Sequence, residues 1–235
     1  MTTKAKNSKV NNNRLMIIIG MVVVAIILVL GFIFFQSNQN SSSIDYSNIP
    51  QGRTDDGAFI LGSPDAAITI VAWEDFLCPH CQEYQSTLHR FFEDFVTTGK
   101  ARFEFRMLPI SQTSPLIFGL AECAGTLKEN SFWDAYDTMF SITEAGFSDK
   151  SGREFANVMG LSYSDLLSCA SNSTQYVTDE ALARSFKTSD GQGVVTGTPT
   201  LGWRLNGGDV RFDIISRQPT YQELAALIEV FGQQK

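Results

Sequence analysis

Cys78 and Cys81 stand three positions apart in the tetrapeptide Cys78-Pro79-His80-Cys81. Two thiols at that spacing can exchange electrons with a partner's disulfide: one sulfur attacks and the other resolves the mixed disulfide. The motif sits at the junction of an apolar run, Ala66 to Trp73, and a predicted helix, Gln82 to Val96. Proline suits the first turn of a helix, where its missing N–H has no partner anyway. Cys78 then falls at the helix N-terminus, where free amides and the macrodipole favour a thiolate. A structural zinc site needs four ligands, usually two cysteine pairs or a cysteine pair with a histidine pair. Cys123 and Cys169 stand alone, 46 residues apart, and His80 and His89 are the only histidines. An inert cross-link is the other alternative. The strand-to-helix setting favours a redox-active dithiol over both.

The elements that must position the thiols are readable from periodicity. Ala67 to Trp73 is nearly all apolar and rich in β-branched residues, which predicts a buried central strand. Tyr84, Leu88, Phe91, Phe92, Phe95 and Val96 fall on one face of the following helix. From Ala101 to Leu108, Phe103, Phe105 and Met107 alternate with Arg102, Glu104 and Arg106, which predicts a half-buried strand. Strand, helix and strand make a right-handed βαβ unit with parallel strands. Ser111 to about Asp190 lacks strand alternation. Helices are expected near 115–128, 150–159, 163–170 and 176–187. Another, behind a Ser131 cap, carries an aromatic core stripe of Phe132, Trp133, Tyr136, Met139 and Phe140. Strand character returns at Thr200 to Leu205, a turn falls at Gly207-Gly208, and Asp209 to Ile215 is expected to add an antiparallel strand. Thr220 and Glu223 form a capping box for a last helix that buries Leu224, Leu227, Ile228 and Phe231. The fold class is α/β, ordered βαβ, helices, then ββα.

Leu15 to Phe35 is a 21-residue segment without a charge, long enough to cross a bilayer as a helix. Lys4, Lys6, Lys9 and Arg14 precede it. The positive-inside rule then places residues 1–14 in the cytoplasm and everything after Phe35 outside. A cleaved signal peptide competes with this single-pass anchor. It calls for a shorter apolar core and a small-x-small cleavage site, which Gln36-Ser37-Asn38-Gln39-Asn40 does not offer. Residues 36–57, rich in Ser, Asn and Gln, read as a flexible linker, and residues 58–235 as one domain. The exported part has 14 Lys and Arg against 25 Asp and Glu, a net charge of −11. That balance argues against nucleic acid or anionic lipid as a partner. All four cysteines lie in this part, and an even count suits an oxidising compartment.

The segment Trp73-Glu74-Asp75-Phe76-Leu77-Cys78-Pro79-His80-Cys81, with the distant Gly197-Thr198-Pro199-Thr200, resembles the DsbA-like branch of the thioredoxin superfamily. The resemblance covers about Ala58 to Phe231. It implies a thioredoxin-like fold with an inserted helical domain, here about 111–190, which the 118 residues from Cys81 to Pro199 can hold. It also implies that Cys78 is the exposed nucleophile, Cys81 the buried resolving thiol, and His80 a stabiliser of the Cys78 thiolate. Pro199 is implied to be a cis-proline beside the dithiol, and Thr198 to offer backbone hydrogen bonds to a bound peptide. No metal or organic cofactor is implied, because the Cys78–Cys81 disulfide is itself the redox centre. Two features depart from the pattern. Ala72 occupies the place, six residues before Cys78, where many thioredoxin-fold enzymes carry a buried acid. Glu74 and Asp75 are nearby, but alternation puts them on different faces and either can be solvated, so no general base is named. Thr198 occurs in oxidases and in isomerases or reductases of the family alike.

Cys123 and Cys169 both fall in the helical insertion. A structural disulfide between them is the preferred reading, worth ~4 kcal/mol in the chain-entropy model. Two buried free thiols or a second redox relay are the alternatives. His89 reads as an ordinary helix residue. The expected activity is an extracytoplasmic thiol oxidase that donates its disulfide to exported proteins, reoxidised by a membrane partner of the DsbB or vitamin K epoxide reductase type. A disulfide isomerase or reductase kept reduced by a membrane electron donor is the enzymatic alternative. A membrane-tethered chaperone or binding module is the alternative of another class.

Overall fold

The structure, a computed structural model, describes residues 18–23, 25 and 44–233. The chain divides into two units, 1–44 and 45–235. In the first, residues 18–23 and 25 are helical. The remainder of the expected Leu15 to Phe35 anchor, and residues 1–14, lie outside the described residues. Among the described residues no helix is long and apolar enough to cross a membrane.

The second unit begins upstream of Ala58, so the expected linker is too long. Tyr46 is buried in a short 3₁₀ turn, Tyr46–Asn48, and its hydroxyl donates to Asp137 Oδ2 at 2.8 Å. Strand β1 (Gln51–Arg53) pairs antiparallel with β2 (Phe59–Leu61). Buried Tyr46 and Ile49 and a three-residue strand help to hold this segment, too little apolar patterning to stand out in a polar stretch.

The βαβ unit is β3 (Ile68–Glu74), α1 (Pro79–Phe91) running on through a π-turn at Phe92–Val96, and β4 (Ala101–Met107). β3 and β4 are parallel, and β5 (Thr200–Leu205) pairs antiparallel with β3. The sheet order is β1-β2-β4-β3-β5. α1 starts at Pro79 rather than Gln82, because proline supplies the first helical residue.

Between β4 and β5 the chain inserts five helices: α2 (Ser114–Leu127), α3 (Phe132–Thr143), α4 (Asp149–Met159), α5 (Tyr163–Ala170) and α6 (Gln175–Ser185). α2 and α5 approach so closely that a Cβ on Gly119 would lie 2.9 Å from the Ala170 Cβ, and the Cys123–Cys169 disulfide joins the same two helices. The aromatic stripe of α3 is buried core. Ser131 stands at its N-cap position without capping it: the hydroxyl donates instead to Ala124 O and Lys128 O, at 2.9 and 2.7 Å. α7 (Tyr221–Phe231) closes the domain behind its capping box, with Thr220 N donating to Glu223 Oε2 at 2.7 Å.

Two strand expectations need correction. β4 is buried on both faces rather than half-buried. Its polar face lies under α6, and the charges there neutralise one another. Fully buried Arg106 donates to Glu104 Oε1 at 2.6 Å, Asp179 Oδ1 at 2.9 Å and Asp56 Oδ2 at 2.8 Å. The segment 209–215 forms no strand. It meets β5 at the Trp203–Arg211 bridge and where Trp203 Nε1 donates to Asp213 O at 2.9 Å, and Ile214 then takes φ 77°, a left-handed turn that a β-branched residue adopts only under strain and that ends the pairing.

Replacing Arg106 with Leu removes the charged partner of buried Asp179 and leaves buried Glu104 to Arg204. Urea unfolding should show a loss of about 3–5 kcal/mol. The exposed Arg153→Leu change, which breaks a surface pair with Asp149 and a contact over the Tyr163 ring, should cost under about 1 kcal/mol. Equal losses would mean that the buried network does not hold α6 to the sheet.

Candidate redox site

The chain leaves β3 and is pinned before it reaches the dithiol. Asp75 is buried, and its carboxylate accepts from Leu77 N at 2.7 Å and Ile110 N at 2.9 Å. Phe76 packs among Phe105, Phe118, Tyr136 and Phe140, and its carbonyl accepts from Gln82 Nε2 at 3.0 Å and Thr143 Oγ1 at 2.7 Å. The sheet, α1 and the insertion thus converge on the residues immediately before Cys78.

Cys78 is the N-cap of α1 and Pro79 its first residue. Cys78 is 5% exposed and Cys81 is fully buried. The Cys78 thiol is pulled down to about 5. The hydrogen bond it accepts from the Cys81 thiol is the main cause, Thr198 and the amides of Cys81 and His80 add to it, and burial opposes it. The helix N-terminus works in the same direction. Burial pushes the Cys81 thiol far up, as do its hydrogen bond to Cys78 and the nearby Glu74 charge. The pair therefore divides into a thiolate near the surface and a thiol that keeps its proton.

The loop before β5 supplies the other wall. The Thr198–Pro199 bond is cis, and the Cys78 thiol lies within 3.3 Å of the Thr198 carbonyl, to which it donates when protonated. Arg217 braces this loop, with Nε donating to Thr200 Oγ1 at 2.8 Å and Nη1 to Thr196 Oγ1 at 3.4 Å. The structure therefore brings together Cys78, Pro79, Cys81, Thr198 and Pro199. The His80 side chain instead stands 73% exposed, 3.6 Å from Glu83, and makes no hydrogen bond to Cys78 among the described residues. Its backbone amide serves the sulfur. Cys123 and Cys169 bond to each other within the insertion.

Glu74 and Asp75 are both fully buried, so neither is solvated. Glu74 accepts from Gln85 Nε2 at 2.9 Å and from Tyr136 OH at 3.1 Å, and Gln85 Nε2 also lies 3.4 Å from the Cys81 carbonyl. Burial pushes the Glu74 carboxyl up to about 8, against the two hydrogen bonds. In the sequence Glu74 could equally be a solvated acid, and its burial is what distinguishes it. Ala72 and Glu74 are two apart on one strand and so share a face. An acid inside an otherwise apolar strand was the available signal. His89 is also less ordinary than expected: its Nε2 lies 3.0 Å from Asp137 Oδ1.

The sequence matches the family model described as Thioredoxin over residues 54–229, and the chain belongs to that family. It is 33% identical over 82 residues to the "Probable disulfide bond formation protein D" of Bacillus anthracis, covering 34% of this chain and 38% of that protein. Among solved structures, the fold is similar to oxidised BdbD from Bacillus subtilis. That match has a TM-score of 0.61 at 21% identity and covers 80% of this chain and 100% of the other. It is also similar to α-DsbA1 from Wolbachia pipientis, with a TM-score of 0.59 at 16% identity, covering 74% and 89%. The thioredoxin fold with a helical insertion is thus the DsbA-like one.

Two pH dependences follow for the reduced protein. Ultraviolet absorbance of the Cys78 thiolate should titrate with a midpoint near 5; a midpoint near the ordinary 9.0 would contradict the hydrogen-bonded geometry. Glu74 sits above its ordinary 4.5, so its contribution to stability is full below that pH and is lost as pH rises through about 8. Urea unfolding of Glu74→Gln should lose less stability than the parent between those limits, and parallel pH curves would refute the assignment.

Proposed function

We propose that this chain is a thiol-disulfide oxidoreductase that acts outside the cytoplasm and donates its Cys78–Cys81 disulfide to exported proteins. The division of the pair into a Cys78 thiolate and a protonated Cys81 carries the reading. A substrate thiolate attacks Cys78 Sγ of the disulfide, and Cys81 Sγ leaves and takes up a proton. A second substrate thiolate then attacks the substrate's own sulfur in the mixed disulfide. Cys78 leaves as a thiolate, the substrate departs oxidised, and the protein is left as the dithiol. A low thiol pKa makes Cys78 a good leaving group and stabilises the reduced form, which makes the disulfide oxidising.

Glu74 is assigned the Cys81 proton, giving it as the sulfur leaves and taking it back on reoxidation. Buried beneath the motif and tied through Gln85 to the Cys81 backbone, it substitutes for the acid missing at Ala72. Thr198 and Pro199 form the edge on which the substrate backbone docks. Leu15 to Phe35 anchors the chain with residues 1–14 in the cytoplasm. Reoxidation falls to a membrane partner of the DsbB or vitamin K epoxide reductase type.

The reduction potential tests the direction. Equilibration with glutathione should give a value above about −200 mV, and one as low as thioredoxin's, about −270 mV, would overturn the oxidase reading in favour of a reductase or isomerase. Trapping the cellular redox state of Cys78 separates the same readings: mostly disulfide for an oxidase, mostly dithiol for a reductase.

A further inference from the structure

A cavity of about 500 Å³ lies beside the dithiol, between α1 and α3. Pro79, next to the reactive cysteine, lines it. Buried Gln85 and Phe140 make its deep end, and Glu83, Asp137 and Glu144 bring three carboxylates to it. Among the described residues no lysine or arginine lines it. Asp137 is held by Tyr46 and His89, and Glu83 faces His80, whereas Glu144 has no partner among the described residues.

Carboxylates alone make an acidic patch; Gln85 makes this a site. The residue is 8% exposed, and its Nε2 is turned toward Glu74, Tyr136 and the Cys81 carbonyl. Its Oε1 is left buried with no hydrogen-bond partner among the described residues, in a side chain that lines the cavity. A buried acceptor left open is costly unless a donor meets it. An ammonium or guanidinium offers several donors and no acceptor, and so satisfies Oε1 and the carboxylates together.

We propose that this cavity is a subsite for a lysine or arginine side chain of the polypeptide whose cysteine bonds to Cys78. The inference rests on the redox reading and adds a substrate preference to it: cysteines flanked by a basic residue react in preference to those flanked by an acidic one. Cys78 Sγ attacks the sulfur of a peptide disulfide, a Cys78–peptide disulfide forms, and the other peptide leaves as its thiolate.

The test uses the full chain carrying Cys81→Ser, so that adducts accumulate, and three homodimeric peptide disulfides in which the cysteine is flanked by Lys, Ala or Glu. Adduct formation is followed by intact-mass spectrometry. The Lys peptide should react on the order of tenfold faster than the Glu peptide at low salt, with Ala between, and the preference should shrink in 1 M salt. Adding Glu144→Lys should bring the Lys-to-Glu ratio below about twofold, with far-ultraviolet circular dichroism reporting an intact fold. Asp209→Lys makes the same charge change beyond the far end of β5 and should leave the ratio unaltered. Equal rates for the three peptides, or equal effects of the two substitutions, would overturn the subsite and leave the redox reading standing. No adduct with any peptide would overturn both.

Discussion

The hydrogen bond from the Cys81 thiol to the Cys78 sulfur is the interaction on which the site depends. It needs the Cys81 proton and is strongest when Cys78 has lost its own. Burial secures the first condition, because a thiolate at Cys81 would be a charge without solvent. The N-terminus of α1 helps with the second, because its free amides face the Cys78 sulfur. The two sulfurs thus hold opposite protonation states although they are three residues apart. Each state supports the other: a negative Cys78 raises Cys81, and a proton on Cys81 lowers Cys78.

Holding that arrangement requires the turn between β3 and α1 to be rigid, and the side chains there are spent on backbone. Asp75, a buried carboxylate next to a thiolate, makes two amide hydrogen bonds that fix Leu77 and Ile110. Phe76 ties the same turn into the aromatic core shared with the insertion. The insertion is therefore part of the redox site, since α3 supplies Tyr136 to Glu74 and Thr143 to the Phe76 carbonyl. On the opposite face of the sheet, Arg106 binds α6 to β4 through charges that only make sense buried together.

Much of this was legible in the sequence where one face of an element is apolar. The βαβ unit, the five inserted helices and the last helix follow from periodicity, and the tetrapeptide located the dithiol. What escaped was polar chemistry taken inside. The Arg102-Glu104-Arg106 alternation reads as a solvated face until Asp179 arrives from a helix 73 residues further along the chain to cover Arg106. Ser131 has the residue type of a cap, but carbonyls closer at hand take its hydroxyl. Asp209 to Ile215 has strand composition, and a single positive φ at Ile214 undoes it. Local pattern reports what a residue tends to do alone, and these residues answer to partners remote in sequence.

Glu74 shows what moving an acid along a strand does to the chemistry. A shift from position 72 to 74 keeps the side chain on the same face of β3 but carries it toward the end of the strand that enters the dithiol turn. There it lies under Cys81, close enough in charge to raise that thiol, and Gln85 and Tyr136 surround it with donors. The donors stabilise the carboxylate and burial stabilises the acid, and the balance leaves the group near 8. A carboxyl poised there can release and recover a proton at neutral pH, which one at its ordinary 4.5 cannot do as readily. The same amide that steadies Glu74 with its nitrogen leaves its oxygen buried without a partner in a side chain that lines the neighbouring cavity, so one side chain joins the proton site beneath Cys81 to the proposed basic-residue subsite beside Cys78.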